Sequence, residues 1–270
     1  MMKTIILTLL LILMPNTLLA KTLVFIHGYM EDGMTWKNQG VTLPLLKNNW
    51  SDGGRLTMRP DGIQKYSPSK FIPLKRDVFY TVELPWYFPI EQQANILKHY
   101  LAAIYANRQQ AIILVGHSNG GLVARYALVQ YNHVPVSTLI TIATPHLGSP
   151  LAQLANLAHN TPINELSQLM GNALLKNSNL LFKQLQSEQP DNFLYWLNHQ
   201  THPDIRYISI IRSNTGLLPH KFDYVVPPYS QNMNKVFALR NKSATFSINK
   251  NHSLNSTDGR LISQLIPLIN

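Results

Sequence analysis

The sequence predicts an α/β fold with a mostly parallel central sheet. Two observations carry it: short, wholly apolar runs bounded by turn residues, and amphipathic segments between them with apolar residues three and four apart. With 270 residues, 45% of them apolar, the chain is long enough for one large domain with a substantial core.

Thr22 to Ile26, closed by a His-Gly turn, has the pattern of a buried strand. Val41 to Trp50 predicts a short helix, and the Gly- and Pro-rich stretch from Ser51 to Lys75 predicts a long loop. A strand is expected over Val78 to Glu83. Ala94, Leu97, Leu101 and Ile104 share one face of a helix from Glu91 to Asn107. Strand, helix, strand follow at Ala111 to Val115, Gly120 to Gln130 and Val136 to Ala143. From Leu151 to Gln186 leucine and alanine recur at helical spacing with few charges, which predicts a helical insertion, a cap of about 151–200. Ile205 to Ile211 resumes the sheet, Lys235 to Leu239 is expected to add a strand, and Leu261 to Ile269 a closing helix.

The first twenty residues run from Lys3 through the apolar stretch Thr4 to Met14, then Pro15 and Asn16, to the small residue Ala20. That order predicts an export signal at 1–20 and a mature domain of 21–270, periplasmic or secreted. The apolar run is shorter than the roughly 20 residues a membrane span needs. Without a single cysteine, thiol nucleophiles, thiolate metal sites and disulfides are excluded. The net charge of +10 favours polyanions, including acidic membrane surfaces that the protein could touch peripherally. The basic residues are scattered, however, and no basic run is interleaved with aromatics, so nucleic acid is not an expected partner.

The strand Ala111 to Val115 runs directly into Gly116-His117-Ser118-Asn119-Gly120-Gly121 and then a helix. This is G-x-S-x-G in its required context, a strained turn that projects the serine hydroxyl. Ser118 is therefore the expected nucleophile. A serine needs a base, and the base needs an orienting acid. In chain order the acid precedes the histidine. Among Glu165, Glu188, Asp191, Asp204, Asp223 and Asp258, Asp223 stands in a loop beyond the strand Ile205 to Ile211, and His252 is the one histidine after it. Asp204 with His220 is the competing pair. His133, His159, His199 and His202 are expected on solvated loops or helix ends. Acyl transfer also needs amides aimed at the oxyanion. Asn119, following the nucleophile, and Tyr29, following His27-Gly28, are the expected donors.

Val24-Phe25-Ile26-His27-Gly28, the Gly116 to Tyr126 segment and Thr144-Pro145-His146-Leu147-Gly148-Ser149 together resemble the lipases of the α/β-hydrolase superfamily, including the GPI inositol-deacylase-like and lecithin-cholesterol acyltransferase groups. The resemblance spans nearly the whole mature chain. It implies an α/β-hydrolase fold, an acid loop at Asp223-Tyr224-Val225-Val226-Pro227, a catalytic histidine at His252, and a lid or cap after Ser149. It implies a lipid or ester substrate and no cofactor. No acidic pair stands out for a structural calcium, Asp204 and Asp258 being the nearest candidates, so no metal is expected. Because the mature chain starts at the strand before His27, a minimal sheet is expected. Hydrolysis of a lipid ester, hydrolysis of a short soluble ester, acyl transfer to an alcohol, and a non-catalytic binding role on the same fold all remain open.

Overall fold

The computed structural model describes residues 20–69, 71–150, 172–213 and 225–269, residues 172–177 by their backbone. The expected export signal lies outside them, apart from Ala20. In chain order the elements are β1 (Thr22–Ile26), α1 (Thr35–Asn38), α2 (Leu43–Lys47), β2 (Ser51–Arg59), β3 (Gly62–Tyr66), β4 (Val78–Val82), α3 (Ile90–Arg108), β5 (Ile112–His117), α4 (Asn119–Gln130), β6 (Val136–Ile142), α5 (Asn172–Gln184), α6 (Phe193–His199), β7 (Arg206–Arg212), β8 (Ser243–Ile248) and α7 (Ser256–Leu265).

The eight strands form one sheet in the order β3-β2-β4-β1-β5-β6-β7-β8. All neighbours are parallel except β2 and β3. The central strands are buried on both faces, which is why they read as unbroken apolar runs. Successive residues of β1 serve opposite sides: Val24 and Ile26 pack with Leu97 of α3 and Leu122 of α4, while Leu23 and Phe25 pack with Trp36 of α1, Leu45 of α2 and Ile262 of α7. Two helical layers thus enclose the sheet, and the carboxyl ends of the parallel strands share one edge.

Three expectations are corrected. Ser51 to Tyr66 is not loop but the β2–β3 hairpin, with Arg59 paired to Gly62. Its register shift between Asp52 and Arg55, where Gly53 and Gly54 sit, and its polar outer face hid the alternation. Lys235 to Leu239 does not form a strand; two single 3-10 turns, Met233–Lys235 and Phe237–Leu239, lead to the true edge strand β8. That strand alternates serine and threonine with apolar residues on a half-exposed edge, so it lacks the apolar run of its neighbours. The sheet is also larger than the minimal one expected, because the hairpin and β8 extend both sides.

The closing helix starts earlier than expected, at Ser256, where Asn255 and Asp258 form a reciprocal capping box. The Asp258 carboxylate is engaged within the fold. Its two oxygens take the Arg212 guanidinium at 2.7 and 2.9 Å, both side chains fully buried, and so tie the end of β7 to α7.

A second buried cation fixes α4. Arg125, fully enclosed, donates to Asn198 Oδ1 (2.9 Å), His202 Nε2 (3.1 Å) and His146 Nδ1 (3.3 Å). His202 is therefore buried, not solvated as expected, and accepts through one nitrogen while the other faces the Gln200 carbonyl at 2.8 Å. The second nitrogen of His146 faces Thr141 Oγ1 at 3.1 Å. Burial, and then the neighbouring guanidinium, lower His202 to about 3 and hold His146 well below the ordinary imidazole range. Burial likewise pulls Arg125 down to about 9.

A histidine kept neutral in the fold but protonated in the unfolded chain costs stability as the solution acidifies. The contribution is complete above the unfolded value near 6.5 and is lost progressively as pH falls toward 3. Replacing His202 by Gln, which keeps an acceptor for Arg125, should flatten the decline of unfolding free energy over that window by about 1.4 kcal/mol per pH unit. Urea titrations of both proteins at a series of pH values measure it; parallel curves would show that His202 is not held neutral.

Candidate active site

At the carboxyl end of β5 the chain turns within one residue into α4. Ser118 makes that turn at φ 51° and ψ −132°, and its amide donates to the Ile142 carbonyl of β6 at 2.9 Å. The turn closes only because its flanks lack side chains: a Cβ on Gly116 would stand 2.6 Å from the Cα of Gly121, and one on Gly120 would strike the Ile26 and His27 carbonyls.

His252 arrives from the far side of the sheet, on the 249–255 loop between β8 and α7. Its Nε2 lies 3.0 Å from Ser118 Oγ. The two predicted residues, 134 positions apart in sequence, are therefore within hydrogen-bond reach. Asp223, expected to complete the set, lies outside the described residues, as does His220 of the competing pair. Asp204 is exposed and precedes β7, at the opposite edge of the sheet from Ser118, so it is not available to a base at that edge.

Asn119 is the first residue of α4, where a backbone N–H has no partner inside its own helix, and the aligned peptide dipoles of that helix favour negative charge beside the serine. Tyr29 follows Gly28, which is pressed so closely against the serine that a Cβ there would stand 2.8 Å from Ser118 Cβ. The Tyr29 ring packs on Trp86 (5.0 Å between centroids) and on Phe182 of α5 (5.2 Å), and its hydroxyl bonds to Ser178. Burial raises the phenol above its ordinary value, with the Ser178 bond acting the other way.

Of the expected insertion, 151–171 lies outside the described residues. The described part of α5 is tied down where it meets the site: Gln184 accepts from the Ile90 amide at 2.8 Å and donates to Glu91 at the start of α3, and Leu181 and Leu185 are buried.

His27 has a structural part. Its Nε2 accepts from the Leu84 amide at 3.0 Å, which leaves Nδ1 to donate to the Gly28 carbonyl at 3.0 Å. Two residues near the serine escaped the sequence reading: His117, inside the quoted motif, and Glu31, three positions after Gly28. The one signal available was a carboxylate close behind a His-Gly turn, placed to reach back to a free amide. Among the described residues no group of three His, Asp or Glu side chains could hold a metal ion.

A serine on a strand-turn-helix elbow, at the carboxyl edge of a mostly parallel sheet covered on both faces, defines the α/β-hydrolase class. Comparison with known proteins narrows this. The family described as PGAP1-like alpha/beta domain matches residues 89–265, and the chain belongs to it, within the lipase- and esterase-like α/β hydrolases. GPI inositol-deacylase A of Yarrowia lipolytica is 36% identical over 74 residues, 24% of this chain and 7% of that protein. The matched segment is thus a small part of that relative. Among solved structures, a Listeria innocua gene product superposes with a TM-score of 0.62 at 14% identity, covering 92% of this chain and 94% of the other. Bacillus licheniformis lipase BlEst2 in its mature form does so at 0.61 and 18%, covering 93% of each. These two share the fold.

The elbow geometry carries its own test. Gly120→Ala should separate the serine from the loop at His27 and lower esterase turnover by about tenfold or more, since small displacements of reacting groups are costly. Kinetics of the variant with model esters, alongside its circular dichroism, would contradict this if a folded Gly120→Ala protein kept full activity.

Proposed function

We propose that this protein hydrolyses carboxylic esters of lipid-like substrates. Ser118 attacks the carbonyl, and its proton passes to His252, which then delivers it to the leaving alcohol. Asp223 orients the imidazole, and the amides of Asn119 and Tyr29 receive the oxyanion. Water, deprotonated by the same histidine, releases the acyl group from the serine. The observation that carries this is the 3.0 Å approach of His252 Nε2 to the hydroxyl of a serine held on an elbow. Membership of a lipase- and esterase-like family supports it, as does the deacylase name borne by the curated relatives. The aromatic wall of Tyr29, Trp86 and Phe182 beside the expected oxyanion loop favours an apolar acyl group over a small polar one.

Contact with a lipid aggregate would be peripheral, favoured by the net charge of +10; among the described residues no helix is long and apolar enough to cross a membrane. Export to the periplasm or the medium rests on the order of residues 1–20 alone.

Ser118→Ala and His252→Ala should each lower p-nitrophenyl ester hydrolysis by several orders of magnitude, and the double variant should be no worse than either, because the two act as a unit. The wild-type rate should rise when a long-chain ester passes from monomer to micelle and change little for a short soluble ester. Activity retained within about tenfold in Ser118→Ala would remove the nucleophile. A flat chain-length and aggregation profile would favour a soluble short-chain esterase.

A further inference from the structure

His117 lies one residue before the expected nucleophile, its side chain almost wholly buried, and bonds in two directions. Its Nδ1 is 2.9 Å from Glu31 Oε2, and its Nε2 is 2.9 Å from the backbone carbonyl oxygen of His252. The same Glu31 oxygen accepts the Gly28 amide at 2.6 Å. One carboxylate and one imidazole therefore touch all three parts of the site: the His27-Gly28-Tyr29 loop, the elbow, and the loop that carries the base.

The proton inventory follows from the partners. Burial alone would raise the Glu31 carboxyl, but the charge and hydrogen bond of His117 and the Gly28 amide more than reverse this, so it stays below the usual carboxylate range and is ionised. A carboxylate and a carbonyl oxygen can only accept, so the ring spans both only while each of its nitrogens bears a proton. Among the described residues, the titratable groups beside it are Glu31 from the β1–α1 loop, on which His27 also acts, and His252, whose ring lies 5.2 Å away; α1 contributes the uncharged Trp36 at 6.4 Å.

We propose that Glu31 and His117 are positioning residues for ester hydrolysis: as carboxylate and imidazolium they clamp the oxyanion loop, the nucleophile turn and the His252 backbone into one register. The role rests on the reaction assigned above, while the clamp itself does not. Loss of the ring proton removes the donor to one of the two oxygens, and the base or the oxyanion loop is then held from one side only. The pair touches neither substrate nor reacting atoms, so its loss should appear in kcat and in the pH profile, with KM little changed.

The test compares wild type, Glu31→Gln and Ser118→Ala with a short p-nitrophenyl ester across pH, and reads the ring nitrogens of His117 in the wild-type protein by long-range ¹⁵N–¹H NMR, assigned with His117→Asn. The clamp predicts that at the pH of maximal activity both His117 nitrogens are protonated. It predicts that Glu31→Gln loses about tenfold or more in kcat with KM within about twofold. A His117 ring with a single proton at that pH overturns the proposal whether or not any variant folds, as does a Glu31→Gln profile superimposable on the wild type. Retained turnover in Ser118→Ala would instead remove Ser118 as the nucleophile that the clamp is proposed to position. The two failures are distinguishable, because the protonation pattern does not depend on turnover.

Discussion

Ser118 occupies a backbone conformation, φ 51° and ψ −132°, that a residue with a side chain rarely adopts and that costs on the order of 1–3 kcal/mol. The surroundings of β5 hold it there. Gly116, Gly120 and Gly121 let strand, helix and the neighbouring carbonyls approach closer than any Cβ permits, and the amide of the strained residue is anchored on β6. The product of that strain is a hydroxyl lifted clear of the strand end, at the edge where the loops after β1, β5 and β8 converge. Were the turn relaxed, His252 would face no donor and α4 would not begin beside the serine.

What converges on that hydroxyl is arranged largely by buried polar contacts. Arg212 and Asp258 join the end of β7 to the start of α7, and so fix the exit of the loop that holds His252. Arg125, bound by two neutral imidazoles and an amide, fastens α4 to the Thr144 to Ser149 segment and to α6. Buried guanidinium groups are costly to strand without acceptors, so such networks define one arrangement of these elements more sharply than apolar packing alone. The Thr-Pro-His-Leu-Gly-Ser motif acquires a physical meaning here, since its histidine is an acceptor for a buried arginine rather than a participant in ester chemistry.

The parts of the fold legible in the sequence were those whose burial leaves a periodic trace. β1 and β5 read as apolar runs because helices cover both faces, β4 showed through its alternation, and α3 showed its apolar face directly. β3 and β8 were missed because edge strands need not be apolar, and β2, inside the sheet, because the Gly53-Gly54 irregularity broke its alternation. At the site, Ser118 was legible because the elbow demands small residues at fixed spacing, and His252 because chain order left no other histidine after Asp223. Glu31 and the part played by His117 were not legible: their link spans 86 positions and belongs to no spacing rule. His202 was misread for a similar reason, as its partner Arg125 lies 77 residues away.

The proposed hydrolysis requires that one hydroxyl, at Ser118, is made nucleophilic by His252. Stoichiometric labelling with a soluble fluorophosphonate, followed by peptide mapping, addresses it without any assumption about the natural ester. A single adduct per chain should form, on the peptide containing Ser118, at least a hundredfold more slowly in His252→Ala, as follows from loss of a general base at roughly 10²–10⁴-fold in rate. An adduct on another residue, no adduct, or labelling of Ser118 at an unchanged rate without His252 would contradict it.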